Sequence, residues 1–192
     1  MAAYPPGSTF KPTQGLTFLQ EGVITPNTMY PCYHGFVSGR LRVGCHAHGS
    51  PLSLMPAIST SCNAYFCYGL KSMVDSRSKY KNTAEAFDTW KDYMVSMGYG
   101  YRLGVDLPSE SRGFIPNSNY YSKIYGEKRW RALTIISIAI GQGEVLATPL
   151  QIANLAATIA NRGYFYTPHE VKEIQDTVLS ADYRTKRYTK VS

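Results

Sequence analysis

Tyr4-Pro5-Pro6-Gly7-Ser8-Thr9-Phe10-Lys11-Pro12 is the stretch of the chain that decides how the remainder is interpreted. Its Pro-Pro-Gly run disfavours regular structure before Ser8, and the apolar residues that follow predict a helix ending near Gly22. Residues three apart lie on the same face of a helix. The sequence therefore predicts Ser8 at a helix start, with the Lys11 side chain within reach of its hydroxyl.

A serine with a lysine one helical turn away can perform nucleophilic catalysis. A serine hydroxyl is a weak nucleophile at neutral pH, and a lysine whose neutral form is favoured by burial can serve as its base. A helix N-terminus adds N–H groups and a partial positive charge beside the attacked carbonyl. A Ser-x-x-Lys pattern also arises by chance, and a helix cap followed by a surface lysine accounts for these four residues taken alone.

A second motif, Ser61-Cys62-Asn63, lies between helices predicted at residues 52–58 and 63–74. An ordinary turn and helix cap would use the same residue types. Three further blocks follow in order: Gly104-Val-Asp-Leu-Pro-Ser-Glu110, Gly141-Gln-Gly143 and Ala147-Thr-Pro-Leu-Gln151. Together with residues 4–12 and 61–66, these blocks resemble the class B penicillin-binding proteins, in particular the penicillin-binding protein 2 family. The resemblance covers residues 4–174.

The resemblance implies an α+β fold, namely the helix-rich part of the transpeptidase fold shared by penicillin-binding proteins and β-lactamases, without most of its central antiparallel sheet. Residues 1–192 would then be a partial transpeptidase, or penicillin-binding, domain. The family's third motif, Lys-Thr-Gly or Lys-Ser-Gly, does not occur in these residues, and neither does the family's membrane anchor. The isolated chain is therefore expected to lack one component of the active site.

The function implied by the resemblance is that of a peptidoglycan D,D-transpeptidase. Such an enzyme cross-links stem peptides through an acyl-serine intermediate and is acylated by β-lactams. Ser8 is the implied nucleophile and Lys11 its base, while Ser61 and Asn63 shuttle protons and hold the substrate. The implied partners are peptidoglycan stem peptides, β-lactams and proteins of the cell-elongation complex, at the periplasmic face of the inner membrane.

Two other functions remain open at this point. A serine β-lactamase would need a base placed to activate water for deacylation. A non-catalytic penicillin-sensing or zinc-stabilised module would be acylated once without turnover.

Residues 28–49 are dense in metal-ligand types and are predicted to form an irregular zinc-binding loop. Cys45-His-Ala-His48 places a thiolate and an imidazole in one short segment, where both can chelate a single ion. With the neighbouring cysteines, the arrangement resembles a structural Cys₃His zinc site with no open coordination position. Similarity to zinc-containing relatives favours as ligands Cys32, Cys45, His48 and Cys62.

Two alternatives stay open for this segment. His34 and His46 are also candidate ligands. Four cysteines in an exported protein also suggest disulfides, here a Cys32–Cys45 bond with the other two cysteines buried as small apolar side chains.

The composition excludes some functions and leaves others open. The formal charge is +7, and part of the excess lies in a basic tail at residues 175–192 that is predicted to be flexible. A groove for nucleic acid would need basic residues along one face with stacking aromatics between them, and no such stripe is evident, so we expect no nucleic-acid partner. No apolar stretch reaches the length needed to cross a bilayer.

Local patterns predict the remaining scaffold. Apolar residues at positions 87, 90, 94 and 97 predict a helix that Asn82 or Thr83 caps and Gly98 ends. Residues 148–151 form a capping box that predicts another helix up to Gly163. Residues 104–125, rich in Gly, Pro, Ser and Asn, are predicted to form a long loop, and residues 164–167 a short strand.

Overall fold

A computed structural model describes residues 1–191 of the chain, and most of its regular structure is helical. The helices are α1 (Lys11–Gln20), α2 (Leu54–Ser59), α3 (Asn63–Val74), α4 (Thr83–Ser96), α5 (Ser118–Tyr125), α6 (Pro149–Ala160) and α7 (Ala181–Arg184). Two 3-10 segments, Gly7–Phe10 and Ala132–Ile140, complete the helical part. No described helix is both long and apolar enough to span a lipid bilayer.

The strands form two separate two-stranded sheets within the described residues. In the first, β1 (Gly35–Ser38) pairs antiparallel with β2 (Leu41–Gly44), so that Phe36 lies opposite Val43. In the second, β3 (Tyr164–Phe165) pairs antiparallel with β4 (Arg187–Tyr188). The α+β, helix-rich architecture predicted from the sequence, with little sheet, is therefore confirmed.

Helix α3 lies at the centre of the core, packed against α1, the 3-10 segment Ala132–Ile140 and β1. Its close approach to α1 depends on Gly69, because a Cβ atom there would lie 2.5 Å from the ring of Phe18. The buried Gln14 joins the same layers, since its Nε2 donates to Ile138 O (3.0 Å) and its Oε1 accepts from Trp90 Nε1 (2.8 Å). These contacts fix α1, and with it the residues that precede it.

Several local predictions are confirmed by the structure. Helix α4 begins after Asn82, whose side chain accepts the backbone N–H of Glu85. Helix α6 begins with the predicted capping box, in which the side chains of Thr148 and Gln151 each accept the other's backbone N–H. The strand predicted at residues 164–167 is present over its first two residues, as β3.

Two local predictions are wrong in part. Residues 28–49 are not wholly irregular, because β1 and β2 form a hairpin inside them. Residues 104–125 are not wholly a loop, because the last eight form α5, capped by Asn117 through the N–H of Tyr120.

The basic tail contains regular structure, although none was expected there. Helix α7 and strand β4 both fall in residues 175–192, and β4 pairs with β3. The flexibility predicted for this tail stays a prediction, and Ser192, its last residue, lies outside the described residues.

Candidate active site and metal centre

The Ser8 turn is held in place by the glycine block at residues 141–143. Gly7 N donates to Gly141 O at 2.8 Å, and Gly141 has a φ of +68°. A Cβ atom at Gly141 would lie 2.3 Å from Gly7 O, so only glycine permits this approach. Ser8 therefore lies exposed in the 3-10 segment, one turn before α1, rather than inside an α-helix.

Lys11 is the first residue of α1, and its side chain is directed into the protein. The residue is only 2% exposed. Its Nζ donates to Ser61 O (2.6 Å), Ser61 Oγ (2.8 Å) and Asn63 Oδ1 (2.6 Å). Three acceptors match the three N–H groups of an ammonium, so this geometry is that of the protonated lysine.

The link between Lys11 and Ser8 passes through Ser61. Ser61 Oγ donates to Ser8 Oγ at 2.9 Å and accepts from Lys11 Nζ. The sequence predicted that Lys11 would reach the Ser8 hydroxyl itself, but Ser8 Oγ is not among the acceptors of Lys11 within the described residues. The three side chains form a chain of two hydrogen bonds, along which a proton can move in either direction when the hydroxyls rotate.

Ser61 reaches this position because of an unusual backbone conformation. It lies between α2 and α3 with a φ of +54°, and its N–H donates to Ile58 O at 3.1 Å. The left-handed conformation directs both its carbonyl oxygen and its hydroxyl toward Lys11. An ordinary helix cap, the alternative at this position, would not give this double contact.

Asn63 joins the catalytic candidates to the β1–β2 hairpin. Its Oδ1 accepts from Lys11, and its Nδ2 donates to Gly44 O, the last residue of β2, at 2.7 Å. One amide hydrogen of Asn63 is thereby used by the protein, and the other is left for a ligand. The sequence did not indicate the part played by Gly44, because that contact depends on the hairpin.

Burial is the main influence on the charge of Lys11. It lowers the pKa of the Lys11 ammonium below that of an exposed lysine, while negative charge on the sulfur atoms of Cys45 and Cys62 would oppose the shift. The ammonium also lies 5.7 Å from the centre of the Phe66 ring, a contact that partly compensates for lost water. A lowered pKa makes the neutral, basic form of Lys11 more accessible.

The four predicted metal ligands meet beside this site. The side-chain ligand atoms of Cys32, Cys45, His48 and Cys62 all lie within 4.8 Å of one another. The Sγ atoms of Cys45 and Cys62 are 4.0 Å apart. Zn–S bonds of about 2.3 Å in a tetrahedron give S···S separations of about 3.8 Å, so the cluster has the dimensions of a zinc site.

The orientation of His48 also fits a metal ligand. Its Nδ1 lies 2.7 Å from Gly49 O, and since a carbonyl oxygen only accepts, Nδ1 carries the proton. The lone pair is then on Nε2, which is buried. The His48 side chain also shares a hydrogen bond with Cys45, which helps to lower the pKa of that thiol. A metal ion bound here would replace this contact by direct bonds to both side chains.

Cys45 is stabilised as a thiolate by the start of α3. Its Sγ accepts the backbone N–H groups of Asn63 (3.1 Å) and Ala64 (3.2 Å). Burial raises the pKa of Cys45, but contacts that include these N–H groups outweigh burial and lower it overall. Burial raises the pKa of Cys62 to about 12, so binding of a metal would have to displace its proton.

Among residues 1–191, the structure does not contain the alternative disulfide or the alternative histidine ligands that the sequence left open for the cysteine-rich segment. All four cysteines are free in the structure, so the Cys32–Cys45 disulfide is not present. His34 and His46 lie outside the cluster of ligand atoms found in the described residues. Cys67 is fully buried in α3, as expected of a small apolar side chain.

Comparison with known proteins gives one family and a consistent set of relatives. The family described as the penicillin binding protein transpeptidase domain matches residues 2–192. The peptidoglycan D,D-transpeptidase MrdA of Acinetobacter baumannii is 33% identical over 190 residues, which is 97% of this chain and 25% of that protein. The chain thus spans about a quarter of the length of the curated relatives it matches.

Solved structures give the same result. A crystal structure of Pseudomonas aeruginosa PBP2 in complex with WCK 5153 matches with a TM-score of 0.79 and 25% identity, over 97% of this chain and 40% of that one. A complex between PBP2 and MreC from Helicobacter pylori matches with a TM-score of 0.72 and 30% identity, over 95% of this chain and 33% of that one.

Proposed function

The chain belongs to the penicillin-binding protein transpeptidase family, in its penicillin-binding protein 2 branch as the sequence motifs predicted, and on this basis we propose that it is part of a peptidoglycan D,D-transpeptidase acting through an acyl-serine. The observation that carries the proposal is the hydrogen-bonded series Lys11, Ser61, Ser8 at an exposed serine. It supplies an attacking hydroxyl and a buried base in contact through one intermediate hydroxyl.

In the proposed acylation, Ser8 Oγ attacks the carbonyl carbon of the D-Ala-D-Ala bond of a stem peptide. The Ser8 proton passes to Ser61 Oγ, and the Ser61 proton passes to neutral Lys11 Nζ. The C–N bond then breaks, the terminal D-Ala leaves with a proton returned from Lys11 through Ser61, and an ester on Ser8 remains. An amine of a neighbouring strand attacks this ester, forms the cross-link and restores the Ser8 hydroxyl. β-Lactams would acylate Ser8 by the first half of the same sequence.

Asn63 and the backbone of Ser8 would stabilise the substrate. The free amide hydrogen of Asn63 can donate to a substrate carbonyl, while its Oδ1 keeps Lys11 in place. The backbone N–H of Ser8 would supply half of an oxyanion hole. The other half would come from a Lys-Thr-Gly or Lys-Ser-Gly strand, a sequence not contained in these 192 residues.

We further propose that Cys32, Cys45, His48 and Cys62 hold a structural zinc ion. When bound, it would supply a cross-link and no chemistry in the reaction, because four protein ligands leave no open position. Its effect on the active site would pass through Cys45, which accepts the N–H of Asn63. The ion would fix the β1–β2 hairpin against the start of α3.

Relatives suggest the cellular setting. The Helicobacter pylori PBP2 was solved in complex with MreC, and another similar chain belongs to a structure of a peptidoglycan synthase complex. The proposed partners are accordingly stem peptides, β-lactams and proteins of the cell-elongation complex, at the periplasmic face of the inner membrane.

Intact-protein mass spectrometry after incubation with benzylpenicillin tests this function. One adduct is expected, which Ser8→Ala removes and Ser61→Ala slows because the proton path is broken. Ser59→Ala is the matched control, since Ser59 lies two residues from Ser61 and, within residues 1–191, its hydroxyl bonds only Pro56 O. If no adduct forms, the assay is repeated on the chain extended through the Lys-Thr/Ser-Gly motif.

A penicillin adduct on the Ser8→Ala variant would contradict the proposal. So would the absence of any adduct on the extended chain that retains Ser8. Continuous hydrolysis of a chromogenic cephalosporin would instead identify a serine β-lactamase. A stable adduct without turnover of a peptide donor by the extended chain would identify a penicillin-sensing module.

A further inference from the structure

A basic cleft lies between the starts of α4 and α5, and none of its lining residues belongs to the site described above. It encloses about 480 Å³, within the range of about 300–1,000 Å³ typical of small-molecule sites. Four exposed cations line it: Arg77, Lys81, Lys128 and Arg131. None of the four forms an ion pair within the described residues. We propose that this cleft binds a phosphate-bearing ligand.

The two arginines are already ordered for binding. Arg77 donates from Nη2 to Thr83 Oγ1 at 2.6 Å and from Nη1 to Val74 O at 3.1 Å. Arg131 donates from Nη1 to Lys128 O at 2.6 Å. Each guanidinium has five N–H donors and uses only part of them here. Their remaining donors form charge-assisted hydrogen bonds with phosphate oxygens at little conformational cost.

Helix ends add to the positive potential. Thr83 and Ala84, at the start of α4, and Ser118 and Asn119, at the start of α5, all line the cleft. Helix N-termini carry a partial positive charge. Here Asn82, Asn117 and Asp88 already accept the N–H groups of Glu85, Tyr120 and Ser118, so the helix ends contribute through this charge rather than through those three donors. Two helix N-termini meeting beside four cations is the arrangement that favours an anion over a neutral ligand.

The nearby carboxylates reduce this positive charge, and the four cations against three carboxylates leave an excess of one positive charge. Glu127 lines the cleft. Glu85 and Asp88 border it, but Glu85 accepts the N–H of Lys81, and Asp88 accepts both the N–H and the hydroxyl of Ser118. These contacts use the two bordering carboxylates to fix the walls of the cleft.

A second basic cleft extends the surface. It encloses about 310 Å³ and shares Asn119 with the first. Its cations are Lys91, Arg112 and Lys123, and no carboxylate from the described part of the chain lines it. A ligand with two linked phosphates, or a phosphodiester headgroup at a surface, would have cationic partners along both clefts. The chemistry common to these sources is the phosphate group.

The test uses the 192-residue chain and inorganic pyrophosphate, with binding measured by titration calorimetry at low and physiological salt. Lys81→Gln/Lys128→Gln removes two exposed cleft cations. Lys172→Gln/Arg40→Gln removes the same charge from exposed positions outside the clefts. A second arm measures co-sedimentation with phosphatidylglycerol vesicles against phosphatidylcholine vesicles, which separates a lipid source from a soluble one. Circular dichroism checks the fold of each variant.

Saturable pyrophosphate binding, weakened about tenfold or more by the cleft variant and unchanged by the control, is the expected result, since two charge-assisted contacts are lost. If vesicle binding shows the same dependence and pyrophosphate competes with it, the phosphate belongs to a membrane lipid. The proposal is overturned if neither probe binds, or if both variants weaken binding equally, because charge alone would then explain it. Lys128→Glu, alone, gives a second reading at an exposed position.

Discussion

Removal of Cys45 tests whether the cysteine cluster holds a metal that supports the active site. Cys45→Ala deletes one of the four candidate ligands and the acceptor of the Asn63 and Ala64 N–H groups. Cys67→Ala is the matched control, because Cys67 is fully buried but lies outside the cluster. The two variants remove the same atom from different surroundings.

The expected loss at Cys45 has two parts. Two hydrogen bonds to sulfur contribute about 1–3 kcal/mol together. Zinc at about 1,000 times its dissociation constant stabilises the folded state by about 4 kcal/mol. At roughly 2–4 °C per kcal/mol for a domain of this size, Cys45→Ala should lower Tm by about 10–28 °C. Cys67→Ala, which loses only a buried sulfur, should cost about 1–2 kcal/mol.

The assay is a set of thermal scans with and without a chelator, together with the zinc content per chain. The chelator should lower Tm of the parent chain and of Cys67→Ala by roughly 8–16 °C, and leave Cys45→Ala almost unchanged. A chelator effect of equal size in all three proteins, or none in the parent chain, would refute the reasoning. So would full zinc content in Cys45→Ala.

Three further predictions follow from the geometry. The acylation rate should rise with pH through the pKa of Lys11, because only the neutral amine can act as a base. Burial places this pKa below that of an exposed lysine. An acylation rate that stays constant from about pH 6 to 10 would contradict this prediction. Glu21→Gln should cost about 2–3 kcal/mol in urea unfolding at pH 7. Burial raises the pKa of Glu21, but hydrogen bonds from Lys79 and two tyrosines outweigh it, so this stability is present above about pH 4.3 and should be lost as the pH falls further. Gly141→Ala should slow acylation and lower Tm, whereas Gly143→Ala, with a φ of +70° but nothing closer than 3.4 Å, should lower Tm alone.

The elements that could be predicted from the sequence are those whose signals are local. Helix α4 follows from apolar spacing and an asparagine cap, and α6 from a capping box with proline, so neither depends on distant residues. Helix α5 was missed because its composition is typical of a loop, although Asn117 provides a cap. The β1–β2 hairpin was not predicted because each strand has only four residues and the segment contains three glycines, a composition that is also typical of a loop.

The residues of the candidate site could be predicted from the sequence, but the hydrogen bonds that join them could not. Ordered motifs indicated Ser8, Lys11, Ser61 and Asn63, and the structure brings all four together. That Lys11 reaches Ser8 only through Ser61 depends on how α1 packs against α3, which no local pattern contains. The basic cleft is hidden in the sequence for the same reason, since its cations come from segments 77–81 and 128–131, which meet only after folding.

Because the backbone of Ser61 is left-handed, stability of the fold and the proposed reaction favour different amino acids at this position. A serine at a φ of +54° is held in a conformation that glycine or asparagine adopts at lower cost. Both replacements would relieve that strain, and both would remove the hydroxyl between Lys11 and Ser8. Selection for thermal stability alone would therefore favour replacement of serine at this position, and only selection for the proposed acyl-serine reaction would retain it.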